Sequence, residues 1–137
     1  MGCWDYMILC DDTALDALDE LNSENIEQFL DEAINSDYLD YDVCEYGLVA
    51  AAIVDVALNG INYDILTGYE DEEIEETVCI IEHSHAEKLR QKSIDAICAV
   101  KGKNSELFEL MSENGEDNEF YINWVNNLNK IIERLSK

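Results

Sequence analysis

The chain has 137 residues and a formal net charge of −24, from 32 Asp and Glu against eight Lys and Arg. That length sets the expectation of a single domain, 1–137, able to bury about two-thirds of its unfolded-chain surface. The 47% hydrophobic content argues against an acidic disordered tail, and the charge argues against binding a nucleic-acid backbone.

In chain order, the first apolar periodicity follows MGCWDYMILC. Ala14, Leu15, Leu18 and Leu21 recur at the spacing of one helix face, with Asp11 or Asp12 as N-cap. Ser23 is placed to cap a second helix with the inward stripe Ile26, Phe29, Leu30, Ala33 and Ile34. The segment 36–42 breaks the period and reads as a loop. From Val43 to Leu58 the sequence is apolar nearly all round, with only Glu45 and Asp55 charged, and Asn59-Gly60 supplies a stop. A helix apolar on every side belongs at the centre of a bundle, and Gly47, Ala50, Ala51 and Ala52 permit close approach by its neighbours.

Residues 61–69 read as an irregular connection. Glu70 to Glu76 is the acidic peak, positioned as the N-terminus of a helix continuing through Ile74, Val78 and Ile81, where the macrodipole favours negative charge. Ser84 is the expected cap of the next helix, with Leu89, Ile94, Ile97 and Val100 inward and Lys101-Gly102 at its end. Asn104 or Ser105 starts a short helix through Leu107, Leu110 and Met111, stopped by Asn114-Gly115. Asp117 or Asn118 opens the last, with the stripe Phe120, Tyr121, Trp124, Leu128, Ile131, Ile132 and Leu135. Six or seven helices with short loops predict an all-α, compact single-domain bundle.

The charge is unevenly placed along this chain. Residues 1–87 hold 24 Asp and Glu and no Lys or Arg, whereas residues 88–137 hold eight of each sign. The whole net charge thus lies in an acidic segment, 1–87, and the remainder, 88–137, is neutral. Folding does not require such a partition, which raises self-repulsion. The longest apolar run, Leu48 to Val54, is too short to span a bilayer. The N-terminus lacks the basic residues of a secretory signal, and Tyr6 disfavours myristoylation. Five widely spaced cysteines without a CxxC pair point to reduced thiols in the cytoplasm, most of them acting as small core hydrophobes.

The opening MGxW, followed by Asp12, Ala14, Asp16, Leu18 and Leu21, resembles the start of a small bacterial family called domain of unknown function 4259, whose members begin MGxWGxxxFxNDxAxDxLxxL. AAIVDVALNG (51–60) is similar to that family's Ala-rich central helix. NSELFELMSENG (104–115), followed by Trp124, resembles its C-terminal region. The chain departs from the pattern at Asp5 for Gly, Leu9 for Phe and Asp11 for Asn. The resemblance implies a helical bacterial protein and no particular reaction. Immunity proteins that neutralise toxins occur in small families of this kind, which is analogy alone.

Several constellations bear on chemistry. Cys79 and His83 are four apart and would share a face of one helix, with His85 nearby, as a Zn or Ni site requires. The bland alternative is a surface pair at a helix junction, and no resident metal or other cofactor is expected. Asp37, Asp40, Asp42 and Glu45 lack the spacing and turn Gly of an EF-hand. No Walker loop, GxGxxG, GxSxG or nucleophilic-cysteine context is present, and the chain is not expected to be an enzyme.

Tyr38 and Tyr41 alternate with Asp37, Asp40 and Asp42. Aromatic anchors among carboxylates suit a binder of a basic protein; the alternative is that the tyrosines fold back onto the bundle. The leading expectation is a cytoplasmic immunity or antitoxin protein, monomer or homodimer, that neutralises a basic toxin enzyme. Its expected partner-binding residues are Asp37, Tyr38, Asp40, Tyr41, Asp42, Glu45, Glu70, Asp71, Glu72, Glu73, Glu75 and Glu76. No nucleic-acid or membrane partner is expected. A DNA-mimic inhibitor, a metal-dependent enzyme or sensor at Cys79, His83 and His85, and an acid-surfaced domain adapted to high salt are the alternatives.

Overall fold

The computed structural model describes residues 8, 9, 12–67 and 72–137, with the backbone alone at 73 and 74. Eight helices follow one another among these residues: α1 (Asp12–Glu20), α2 (Ile26–Asn35), α3 (Tyr41–Asn59), α4 (Tyr63–Leu66), α5 (Glu72–Val78), α6 (His83–Lys101), α7 (Glu106–Met111) and α8 (Glu119–Leu135). The all-α class is as the periodicity predicts. The additional helix is α4, a single turn inside the expected connection 61–69. There the Asn62 side chain accepts from the Asp64 N–H, and the backbone N–H groups of Ile8 and Leu9 donate to the Ile65 and Leu66 carbonyls.

Helix α3 is the axis of the fold. It packs most extensively against α6, then α2 and α1, and also touches α7 and α8. Everything from Gly47 to Val56 is buried. The small residues have a specific consequence at Gly47, where a Cβ would come within 3.0 Å of the Ala33 Cβ. The α2–α3 contact therefore depends on a missing side chain. At the other end, the chain leaves the helix through Gly60 at φ 86, a left-handed conformation in which a Cβ is strained.

Caps explain most boundaries. Asp40 accepts from the Val43 N–H, Ser105 from Phe108 and Asn118 from Phe120, each satisfying a donor the helix cannot pair internally. Ser23 does not cap α2. Instead Asn22 Oδ1 accepts from the N–H groups of Glu24 and Asn25, while Asn25 Oδ1 accepts from Asn22. Ser84 likewise lies within α6, which follows Glu82. Leu15 is 40% exposed and Leu110 is also exposed, because the inward faces of these short helices are carried by Ala14, Ala17 and Leu18 and by Leu107. Of the described cysteines, only Cys44 is buried. Cys79 and Cys98 are exposed, so the expectation of mainly core thiols fails for them.

One buried ion pair joins the ends of α3 and α8. Asp55 is 4% exposed and accepts from Arg134 Nε at 3.2 Å and from Asn59 Nδ2 at 2.8 Å. Arg134 also donates to the Gly60 carbonyl, and Asn59 returns a bond to the Arg134 carbonyl. Burial raises the Asp55 carboxyl above its ordinary range, against the lowering effects of Asn59 and Arg134. Arg90 of α6 donates to the Leu135 and Lys137 carbonyls beyond this clasp.

These contacts make two expectations for stability. Gly47→Leu is expected to cost about 1–3 kcal/mol by overpacking, read as a lower urea midpoint at unchanged slope; an unaltered midpoint would show that α2 and α3 are not held this closely. Arg134→Met is expected to cost about 3–5 kcal/mol by leaving Asp55 buried without its cation. A carboxyl with a raised folded pKa favours the native state at low pH and loses that contribution as pH rises through the folded value. Stability measured against pH should therefore bring the variant closer to the parent as pH falls.

Candidate functional site

The expected partner-binding residues do not converge. Asp40 caps the start of α3, whereas Glu75 of α5 lies by Tyr63, just past its end, with the Tyr63 hydroxyl donating to Glu75 Oε2 at 3.4 Å. Nineteen helical residues separate these points, about 28 Å at 1.5 Å per residue. Glu72, Glu75 and Glu76 are exposed. Glu70, Asp71 and the side chain of Glu73 lie outside the described residues.

The tyrosines in the first segment behave differently from each other. Tyr38 is 47% exposed, but its hydroxyl donates to Glu109 Oε2 at 2.6 Å. That bond and partial burial push its phenol up to about 12, so it remains a neutral donor. Leu39, buried beside it, pins the loop to the start of α7: its N–H donates to the Asn104 carbonyl and its carbonyl accepts from the Glu106 N–H, both at 2.8 Å. Tyr41 packs against the core, and its N–H donates to Glu106 Oε1. Asp37, Asp40 and Asp42 face solvent. Glu45 is a correction: at 6% exposed it sits on the inner side of α3 and presents nothing to a partner.

Asp42 instead belongs to a constellation built from three helices. It lines a pocket of about 220 Å³ with Glu20 from the end of α1, Phe29 and Glu32 from α2, and Val43 and Tyr46 from α3. Asp42 and Tyr46 are four apart and Phe29 and Glu32 three apart, so α2 and α3 each contribute one ring and one carboxylate. The rings meet at 4.9 Å between centroids and 42° between planes. The Tyr46 hydroxyl donates to Glu20 Oε2 at 2.9 Å, and burial together with this bond pushes its phenol up to about 12. Sequence reading missed Glu20, Phe29, Glu32 and Tyr46 as a group. Phe29 reads as core, and only the packing of α2 on α3 shows that its ring is partly buried beside Tyr46 at the core's edge.

Farther along α2, a trough of about 570 Å³ is lined by Glu24, Glu27, Gln28, Asp31, Glu32, Asn35 and Ser36. Lys92 of α6 reaches α2, with Nζ 2.8 Å from Glu27 and 2.9 Å from Asp31. These bonds raise the Lys92 pKa. A second groove, of about 410 Å³, runs between Asp64 and the α8 residues Asn123, Asn126, Asn127, Asn129, Lys130 and Glu133.

The Cys79–His83 arrangement is also corrected. Helix α5 ends at Val78 and α6 begins at His83, so Cys79 lies in the turn between them and shares no helical face with His83. Among the described residues, no three His, Cys, Asp or Glu side chains converge as metal ligands. Partial desolvation of this largely exposed thiol, together with the charge of Glu75, raises Cys79, the reverse of what an activated thiolate needs. Among the described residues, no helix is long and apolar enough to cross a membrane.

No curated protein and no solved structure matches the chain. Residues 2–123 match the family described as "Domain of unknown function (DUF4259)". The match ends within α8, one residue short of Trp124 and well before Arg134. It covers the whole of α1 to α7, and the chain therefore belongs to that family.

Proposed function

We propose that this chain is a cytoplasmic binding protein of the immunity or antitoxin kind, without catalytic activity, which blocks a basic toxin enzyme through the outer faces of α1, α2 and the start of α3. The observation that carries this reading is the pairing of exposed carboxylates with absent cations. Asp16, Asp19, Glu20, Glu24, Glu32, Asp37, Asp40 and Asp42 are all exposed there, and of the α2 carboxylates Glu27 and Asp31 receive Lys92. The chain supplies no Lys or Arg before residue 88.

Such a surface attracts a cationic partner from beyond contact. Steering of this kind raises association to about 10⁸–10⁹ M⁻¹s⁻¹ at low salt, against about 10⁵–10⁶ for uncharged surfaces. Contacts with Tyr38, exposed beside Asp37, would then act on dissociation. The separation of the segment 37–42 from α5 favours one end of the molecule as the docking face and makes α5 an accessory. A nucleic-acid decoy is less well supported, since it needs one long, regularly spaced carboxylate stripe.

The test is a pull-down with the tagged chain from the source organism at low salt, eluted on a salt gradient. A single stoichiometric basic protein leaving late is expected. With that protein in hand, Asp37→Asn, Asp40→Asn and Asp42→Asn together should slow association about tenfold or more and flatten its salt dependence. Asn retains the capping function of Asp40. A partner whose binding ignores salt, these changes and Glu-to-Gln changes at Glu72, Glu75 and Glu76 would overturn the proposal.

A further inference from the structure

We infer that the pocket between α1, α2 and α3 receives the guanidinium group of an arginine side chain presented by a basic polypeptide. This rests on the reading of the chain as a binder of basic proteins, and it names the group that reading requires.

At about 220 Å³ the pocket is smaller than the roughly 300–1,000 Å³ of sites for drug-sized molecules, and suits one inserted side chain. Phe29 and Tyr46 form an aromatic wall, Val43 adds an apolar surface, and Glu20, Glu32 and Asp42 surround them. A cation over an aromatic face with carboxylates at its edge satisfies both features together.

Among the described residues, Glu20, Glu32 and Asp42 take part in no ion pair, whereas Glu27 and Asp31 on the same helix as Glu32 receive Lys92. The described residues thus supply a cation to Glu27 and Asp31 and none to the pocket beside them.

Arginine fits better than lysine for a geometric reason. A guanidinium is planar and weakly hydrated, so it stacks on a ring while its edge N–H groups reach carboxylates; an ammonium is a compact, strongly hydrated charge. The Tyr46–Glu20 bond holds the ring in position and occupies Oε2. Glu20 Oε1 and the carboxylates of Glu32 and Asp42 are then placed to accept from the guanidinium edge, while Val43 lies against the methylene stem.

The experiment titrates the full chain with acetyl-Gly-Arg-Gly-amide, followed by NMR of the Phe29 and Tyr46 rings, and repeats it with the lysine and citrulline counterparts. The expected result is a saturable shift at both rings with the arginine peptide. Affinity should be about threefold or more lower for lysine, and citrulline, isosteric but neutral, should give no saturable shift. Tyr46→Leu should weaken arginine binding about three- to tenfold. Glu32→Gln, at an exposed position, should weaken it without disturbing the fold.

Equal shifts from arginine and lysine, spread along α1, α2 and α5 and unchanged in both variants, would overturn the pocket while leaving recognition of a basic partner standing. No shift at the two rings would overturn it as well. Pocket binding as expected, combined with a pull-down that yields no basic protein, would support the pocket and sink the immunity reading.

Discussion

Helix α3 can be surrounded on every side only because its neighbours come close, and the rest of the structure is arranged around that constraint. The tightest point is Gly47 against Ala33, where one more carbon would stand 3.0 Å from its neighbour. Close approach brings Phe29 and Glu32 of α2 beside Tyr46 and Asp42 of α3. The same absence of a side chain that lets the core close therefore also shapes the pocket at its edge. Both ends of α3 are held. Asp40 caps the start, and the Asp55–Arg134–Asn59 clasp ties the end to α8.

A charge of −24 is accommodated by placement more than by pairing. Carboxylates of the acidic segment occupy opposite ends of α3 and the outer faces of separate helices, so repulsion is spread through high-dielectric solvent. Several carboxylates accept from tyrosine hydroxyls: Glu109 from Tyr38, Glu20 from Tyr46 and Glu75 from Tyr63. These bonds order the carboxylates without neutralising them. Lys92, from the neutral C-terminal segment, contributes compensation at α2. What remains is a molecule whose described acidic surface is largely uncompensated, and it is this residue of charge that the proposed function explains.

Much of the fold was legible from residue spacing. The all-round apolar run from Val43 to Leu58 identified the central helix, and the caps of α7 and α8 were narrowed to Asn104 or Ser105 and to Asp117 or Asn118, because a short polar side chain before an apolar period has few other roles; Ser105 and Asn118 are the ones that cap. Ser23 and Ser84 show the limit of that argument. Asn22 and Asn25 form a reciprocal arrangement that leaves Ser23 unneeded, and α6 begins one residue before Ser84. Leu15 and Leu110 obey helical period yet stay exposed, because helices of nine and six residues present too narrow a face to bury every apolar position.

The sequence by itself determined the helical class, the central place of α3 and the confinement of the net charge to residues 1–87, since each follows from composition or from spacing along one helix. Tertiary structure decided which carboxylates stand together. It moved Glu45 inside, separated the segment 37–42 from α5, parted Cys79 from His83, and assembled Glu20, Phe29, Glu32, Asp42 and Tyr46 into one pocket. It likewise joined Asp55 to Arg134, 79 residues away. Periodicity states which residues share a face of a helix, but which faces meet depends on the distance and angle at which helices dock, and those are set by side chains far apart in the chain.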